Sequence, residues 1–193
     1  MSEHQNGLAA SPTGLDQSEI ETYGSLIGER FHIYDENDRP DVHSLVKTLG
    51  GTIDYKQGNM GCNILSVRNK EDFTVHTGHL TMLATDRVTI AIALGHYLLH
   101  YLTPKRYKAE ETQYTEYDYY GVHKPLSLEV LTFARGLLLP EDRFIKRYEA
   151  NGSFDFFPKD ETAHLKWDYI EHRAVKLGIN KEGASHVKVT KSS

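Results

Sequence analysis

The stretch VTIAIALGHYLLHYL, Val88 to Leu102, decides the fold: it is the longest apolar run of the chain and contains two histidines, His96 and His100. Side chains four residues apart lie on the same face of an α-helix, so this spacing places both imidazoles on one side of a helix. A bilayer-spanning helix needs about 20 apolar residues, and this run is shorter and interrupted by histidines. We therefore predict a helix buried in the core of a globular protein.

The turn before His96 lacks the polar residues that a zinc peptidase would need there. In peptidases with an H-E-x-x-H motif, two histidines bind zinc from one helix face, and the glutamate takes a proton from the metal-bound water. Here Ile92 and Ala93 stand in the places of the first histidine and the glutamate. Isoleucine cannot bind a metal and alanine cannot accept a proton, and loss of a general base typically costs about 10²- to 10⁴-fold in rate. Because the general-base position is Ala93, we expect no catalytic residue.

Two segments together resemble the ImmA/IrrE family of metallo-endopeptidases. The segment RVTIAIALGHYLLH is similar to that family's metal-binding helix, R-F-T-x-A-H-E-L-G-H-Y-x-x-H. The segment LEVLTFARGLLLPEDRF is similar to its E-x-N-x-F-A-x-x-L-L-x-P segment, with Leu131 in place of the usual asparagine. Further likenesses in DVHSLVKTLGGTIDY and YIEHRAVKLGI extend the resemblance, in the same order, over residues 38–180. The residues that match the two main motifs are Arg87, Thr89, Ala91, Leu94, Gly95, His96, Tyr97, His100, Glu129, Phe133, Ala134, Leu137, Leu138 and Pro140.

The resemblance implies a degenerate metal site and a regulatory context. His96 falls at the family's second histidine and Glu129 at its third ligand, so both are expected as relic ligands. Family members act in bacteria, phages and mobile elements, where they often cleave or inactivate a helix-turn-helix repressor in a stress or excision response. The resemblance therefore implies a protein partner of that kind.

The histidines leave two interpretations open. His96 and His100 could form a shifted metal site with Glu129, or they could be hydrogen-bonded within the core, with Glu129 paired to His96. A second pair in the segment HTGH, His76 and His79, could supply a replacement ligand, although such a pair at the end of a strand more often lies at the surface. No cofactor is the leading expectation, and zinc is the one that the sequence leaves open.

The whole chain predicts an α+β fold, a zincin-like helical domain with a small antiparallel sheet of three strands. Alternation and turn residues predict the strands TIDYKQ, CNILSVRN and DFTVHTG. Helical spacing predicts helices with N-caps at Ser18 and Asp41, a helix break at Pro140, and a closing helix in TAHLKWDYIEHRAVKLGI.

Composition sets limits on domains and partners. The 193 residues suit one domain, expected over residues 17–182, between a disordered tail over 1–16 and a flexible tail over 183–193. A net charge of -5 disfavours direct binding of nucleic acid or of an acidic membrane. The single cysteine, Cys62, excludes an intrachain disulfide, and the polar N-terminal residues show no secretory signal, which together suit a cytoplasmic protein.

The segment 103–125, TPKRYKAEETQYTEYDYYGVHKP, has no apolar period and predicts a long surface loop. Its tyrosines could be a contact surface, because tyrosine supplies much contact area at low entropic cost, or they could lie on a solvated connector. The tyrosines predicted to bind a partner are Tyr114, Tyr117, Tyr119 and Tyr120.

These observations favour a catalytically inactive, metallopeptidase-like regulatory protein that binds another protein. The alternative is an active zinc-dependent endopeptidase with a rearranged site made from His96, His100 and Glu129. A direct transcription factor is a third hypothesis, which the acidic composition disfavours.

Overall fold

A computed structural model describes residues 12–56, 63–78, 83–102, 112–115, 124–151 and 173–179. Within these ranges the chain combines helices with one small sheet, which confirms the predicted α+β class. None of the helices described there is both long enough and apolar enough to cross a membrane. The predicted tail over 183–193 lies outside the described residues.

The first two helices begin at aspartate N-caps. Helix α1, Gln17–Arg30, begins after Asp16, whose side chain accepts from the backbone N–H of Glu19 while the Glu19 carboxylate accepts from the N–H of Asp16. This reciprocal capping box satisfies donors that the helix leaves without intrahelical partners, so the predicted cap at Ser18 is wrong by two residues. Helix α2, Val42–Thr48, begins after Asp41, as predicted.

The central helix changes its hydrogen-bond period where the histidines lie. Helix α3, Leu83–Gly95, continues as a π-helical segment, His96–Tyr101, and the N–H of Leu102 donates to the carbonyl of Tyr97, five residues back. Every side chain from Ile90 to Tyr101 is buried. A helix that is apolar on all sides belongs inside a protein, so the prediction of a core helix is confirmed.

The later helices follow the predicted break. Helix α4, Lys124–Leu138, ends before Pro140, and helix α5, Glu141–Asn151, begins directly after it. Of the predicted closing helix, the structure describes 173–179, where residues 173–176 are helical.

The sheet differs from the antiparallel three-stranded sheet predicted from the sequence. Strands β1, Gly51–Lys56, β2, Asn63–Asn69, and β3, Asp72–Gly78, lie where they were expected, and a fourth, β4, Thr112–Thr115, joins them. The order is β1-β3-β2-β4, with β1 parallel to β3 and the other pairs antiparallel. The sheet is therefore mixed. Strands β2 and β3 form a tight antiparallel hairpin, and β1 pairs in parallel with the other edge of β3.

The core lies between the sheet and helix α4. Helix α3 contacts β3 and β2 on one side and α4 on the other, and α1 packs along the far side of α4. The inward side chains of the sheet pair across strands, as Ile53 with Val75 and Leu65 with Val75. This arrangement brings the histidine-bearing end of α3 against α4, which carries Glu129.

Candidate functional site

The turn that would carry a metallopeptidase's first ligand and base is closed by hydrocarbon. Ile92 exposes 5% of its surface and Ala93 none, and both belong to the hydrophobic core. Neither side chain offers a lone pair to a metal or to a proton. This turn has no means of activating a water molecule.

The two histidines of the central helix contact each other in the core. His96 exposes 0% and His100 1% of its surface, and their Nδ1 atoms lie 2.9 Å apart, a hydrogen-bond distance. Burial, and to a smaller extent the neighbouring His100, lower the pKa of His96 to about 3 from 6.5. His96 is therefore neutral at physiological pH.

Glu129 is hydrogen-bonded to His100, so that Glu129, His100 and His96 form a buried series of three polar side chains. Its Oε2 atom lies 2.8 Å from Nε2 of His100. The expected pairing of Glu129 with His96 is wrong, because α4 places the carboxylate beside the more C-terminal of the two imidazoles. The order of contacts is Glu129, His100, His96.

A linear chain of this kind is a poor metal site. His100 turns one ring nitrogen to His96 and the opposite one to Glu129, so the three donor atoms do not converge on a single point. Zinc requires its donors to surround one position at about 2.0–2.2 Å. Among the residues that the structure describes, no group of three or more His, Cys, Asp or Glu side chains is arranged to hold a metal ion.

Hydrogen-bond chemistry limits where the protons of this series of side chains can lie. An ionised carboxylate only accepts hydrogen bonds, so the proton between it and His100 belongs to Nε2 of His100. If His100 is neutral, its Nδ1 accepts from Nδ1–H of His96; if it is charged, its Nδ1–H donates to His96 instead. Both arrangements fit the 2.9 Å contact between the two Nδ1 atoms.

The other side of the Glu129 carboxylate is bound by the start of the described chain. The backbone N–H of Thr13 donates to both carboxylate oxygens, at 2.9 and 3.1 Å, and the Thr13 hydroxyl lies 2.9 Å from Oε1. Residues 12–16, which the sequence assigned to a disordered tail, are therefore attached to α4 and then lead into the Asp16 cap. The rest of that predicted tail, 1–11, lies outside the described residues.

Of the second predicted histidine pair, His76 and His79, only His76 lies among the described residues. His76 lies on β3 with its Nε2 2.9 Å from the Ser66 hydroxyl and its Nδ1 3.4 Å from a carboxylate oxygen of Asp54. The order serine, histidine, aspartate is that of a hydrolase triad. Ser66, however, exposes only 8% of its surface in the middle of β2, between two paired strands, so we interpret the group as a network that links three strands. His79 lies outside the described residues.

The predicted tyrosine surface can be placed at one position only. Tyr114 lies on β4 opposite Leu65 of β2. The prediction of an entirely irregular loop over 103–125 is therefore wrong at 112–115, because this short segment pairs with the free edge of β2, and at 124–125, which already belong to α4. Tyr117, Tyr119 and Tyr120 lie outside the described residues.

Sequence reasoning missed two polar groups of these networks. Thr13 was assigned to the tail, although the pattern Asp16-x-x-Glu19 is a capping-box signal that fixes where the chain becomes ordered. Ser66 carries no such signal, because it stands alone between apolar residues of a strand.

Comparison with known proteins does not assign the chain to a family. No protein-family model matches the chain, and no curated protein is significantly similar to it in sequence. The resemblance to the ImmA/IrrE peptidases therefore stays a prediction.

Proposed function

We propose that this protein is a catalytically inactive, metallopeptidase-like regulator that acts in the cytoplasm of a bacterial cell by binding another protein. The partner proposed is a helix-turn-helix repressor of a phage, mobile element or stress response. The partner and the setting come from the resemblance of Val88–Leu102 and of the Glu129 segment to the ImmA/IrrE family, while the inactivity comes from the chemistry of the residues.

One observation carries the inactivity. Ile92 and Ala93 are packed in the core, and the remaining polar side chains, His96, His100 and Glu129, are engaged with one another and with Thr13. A hydrolytic zinc site needs three ligands, an open position and a base. A protein with this arrangement can retain a binding surface after losing the reaction.

The test is capture of the partner from the native host with the tagged full-length protein. We expect a helix-turn-helix protein to be recovered with its full mass, because the site cannot cleave it. With the purified pair, added zinc should produce no fragments. Recovery of a cleaved repressor, or zinc-dependent cleavage that His96→Ala abolishes, would instead support the rearranged active site.

The tyrosine segment provides a variant with a matched control. Replacing Tyr117, Tyr119 and Tyr120 together by alanine should lower partner recovery about tenfold or more, since aromatic residues often dominate interface energy. Tyr107→Ala, in the same segment, should leave recovery close to that of the unaltered protein. Equal recovery with the triple variant would contradict a role for these tyrosines.

A further inference from the structure

The N-terminal segment binds the one buried carboxylate of the site through a matched set of donors. Thr13 presents a backbone N–H and a hydroxyl to Glu129, while its own hydroxyl oxygen accepts from the N–H of Leu15, at 3.2 Å. The hydrogen bond from Leu15 therefore holds the Thr13 hydroxyl in the orientation in which it donates to the carboxylate. Hydrogen bonds to an ionised acceptor are roughly twice as strong as those between neutral groups.

Residues 12–16 are attached to the rest of the protein at both ends. The capping box of Asp16 and Glu19 joins it to α1, which packs along α4. Glu129 is itself held from behind by His100. Residues 12–16 thus cross from the start of α1 to the carboxylate, with Leu15 about half exposed, at 45%.

We propose that residues 12–16 are an intramolecular strap that occupies the Glu129 site, and that a partner binds there by replacing Thr13. The partner segment would present the same chemistry, an extended backbone N–H beside a serine or threonine hydroxyl. This proposal rests on the proposed function for the existence of a partner, and it adds the place of binding and the kind of segment bound. The partner segment and residues 12–16 therefore compete for Glu129, because the site accepts only one such segment at a time.

The first measurement is amide hydrogen exchange over residues 13–16 in the full-length protein, since Pro12 has no amide hydrogen. Thr13→Val removes the hydroxyl and Glu129→Gln removes the charge, and each should speed exchange of this segment by about 10- to 150-fold, the equivalent of one charge-assisted hydrogen bond. Thr22→Val, on the exposed face of α1, and Glu149→Gln, on the exposed face of α5, are the matched controls and should leave the exchange unchanged.

The second measurement uses a peptide of the chain's own sequence, PTGLDQ, as the probe. It should perturb the imidazole resonances of His100 in the Thr13→Val protein and leave those of the unaltered protein unchanged, since the strap there fills the site. The same peptide with valine in place of threonine should perturb neither.

Unchanged exchange in both variants, or equal binding of the two peptides, would overturn the strap. Neither measurement uses zinc or the repressor, so failure of the strap leaves the proposed inactivity standing. Conversely, a zinc-dependent cleavage activity would refute the proposed function without altering the exchange result.

Discussion

At the scale of single residues, hydrocarbon occupies the two positions of the central helix where a metallopeptidase would need a metal ligand and a base. Ile92 and Ala93 fill their turn, and the polar residues around it form a chain from Thr13 through Glu129 and His100 to His96. The two apolar residues could be predicted, because their positions are read directly from the sequence. Which of the two imidazoles is hydrogen-bonded to Glu129 could not be predicted, because it depends on how α4 packs against the central helix.

The buried His96 makes folding stability depend on pH. Its folded-state pKa of about 3 lies below the ordinary 6.5, so the unfolded chain takes up the proton first as pH falls. The free energy of unfolding should decrease from about pH 6.5 downward, with a slope that approaches about 1.4 kcal/mol per pH unit toward about pH 5. Denaturant unfolding at about pH 6.5 and about pH 5 measures this loss.

Two asparagine variants isolate the effect. His96→Asn should reduce the pH dependence in that interval by the contribution of His96, whatever it costs in overall stability. His32→Asn replaces an exposed histidine at a positive φ of 51°, which asparagine tolerates, and should keep the dependence. The same slope in the two variants would show that His96 is not the titrating group.

At the scale of helices and strands, the helices were more predictable than the sheet. Periodic apolar residues, Asp41 and Pro140 mark the helices and their ends correctly. The pairing of the strands was predicted wrongly, because alternation tells which face of a strand is buried and gives no information on its neighbours. The mixed order β1-β3-β2-β4 is set by contacts between distant parts of the chain.

The packing of α1 on α4 depends on glycines at the crossing. A Cβ atom on Gly136 would lie 2.0 Å from the carbonyl oxygen of Glu21, and one on Gly24 would lie 2.5 Å from that of Phe133. Gly136→Ala should therefore lower the free energy of unfolding by about 1–3 kcal/mol or more, because backbone cannot move aside cheaply. Thr22→Ala, on the exposed side of α1, is the control, and equal unfolding midpoints would disprove the close approach.

At the scale of the whole molecule, one buried carboxylate joins three distant parts of the chain. Glu21 of α1 pairs with Arg135 of α4 at 3.0 Å, and with Arg173 and Lys176 of the C-terminal described segment. Burial lowers the pKa of Arg173 to about 10 and also lowers that of Lys176. Such a cluster could not be predicted from the sequence, because its members are far apart in it.

Removing this carboxylate should loosen the C-terminal segment. Glu21→Gln leaves the nearby cations without a buried counter-charge, and breaking a buried pair in this way costs about 3–5 kcal/mol. We expect faster hydrogen exchange over 173–179 together with a lower unfolding midpoint. Glu149→Gln, at the exposed surface of α5, should change neither, and normal exchange over 173–179 in the Glu21 variant would contradict the link.

The most direct test of the proposed inactivity is a zinc titration against a chromogenic chelator. The unaltered protein should bind no zinc stoichiometrically, whereas Ile92→His with Ala93→Glu should gain zinc binding, because it places a second histidine one helical turn from His96 and adds a carboxylate beside it. Ile92→Asn with Ala93→Gln introduces comparable polarity without restoring the histidine and the carboxylate, and should bind none. Tight, stoichiometric zinc in the unaltered protein, lost in His96→Ala, would contradict the account.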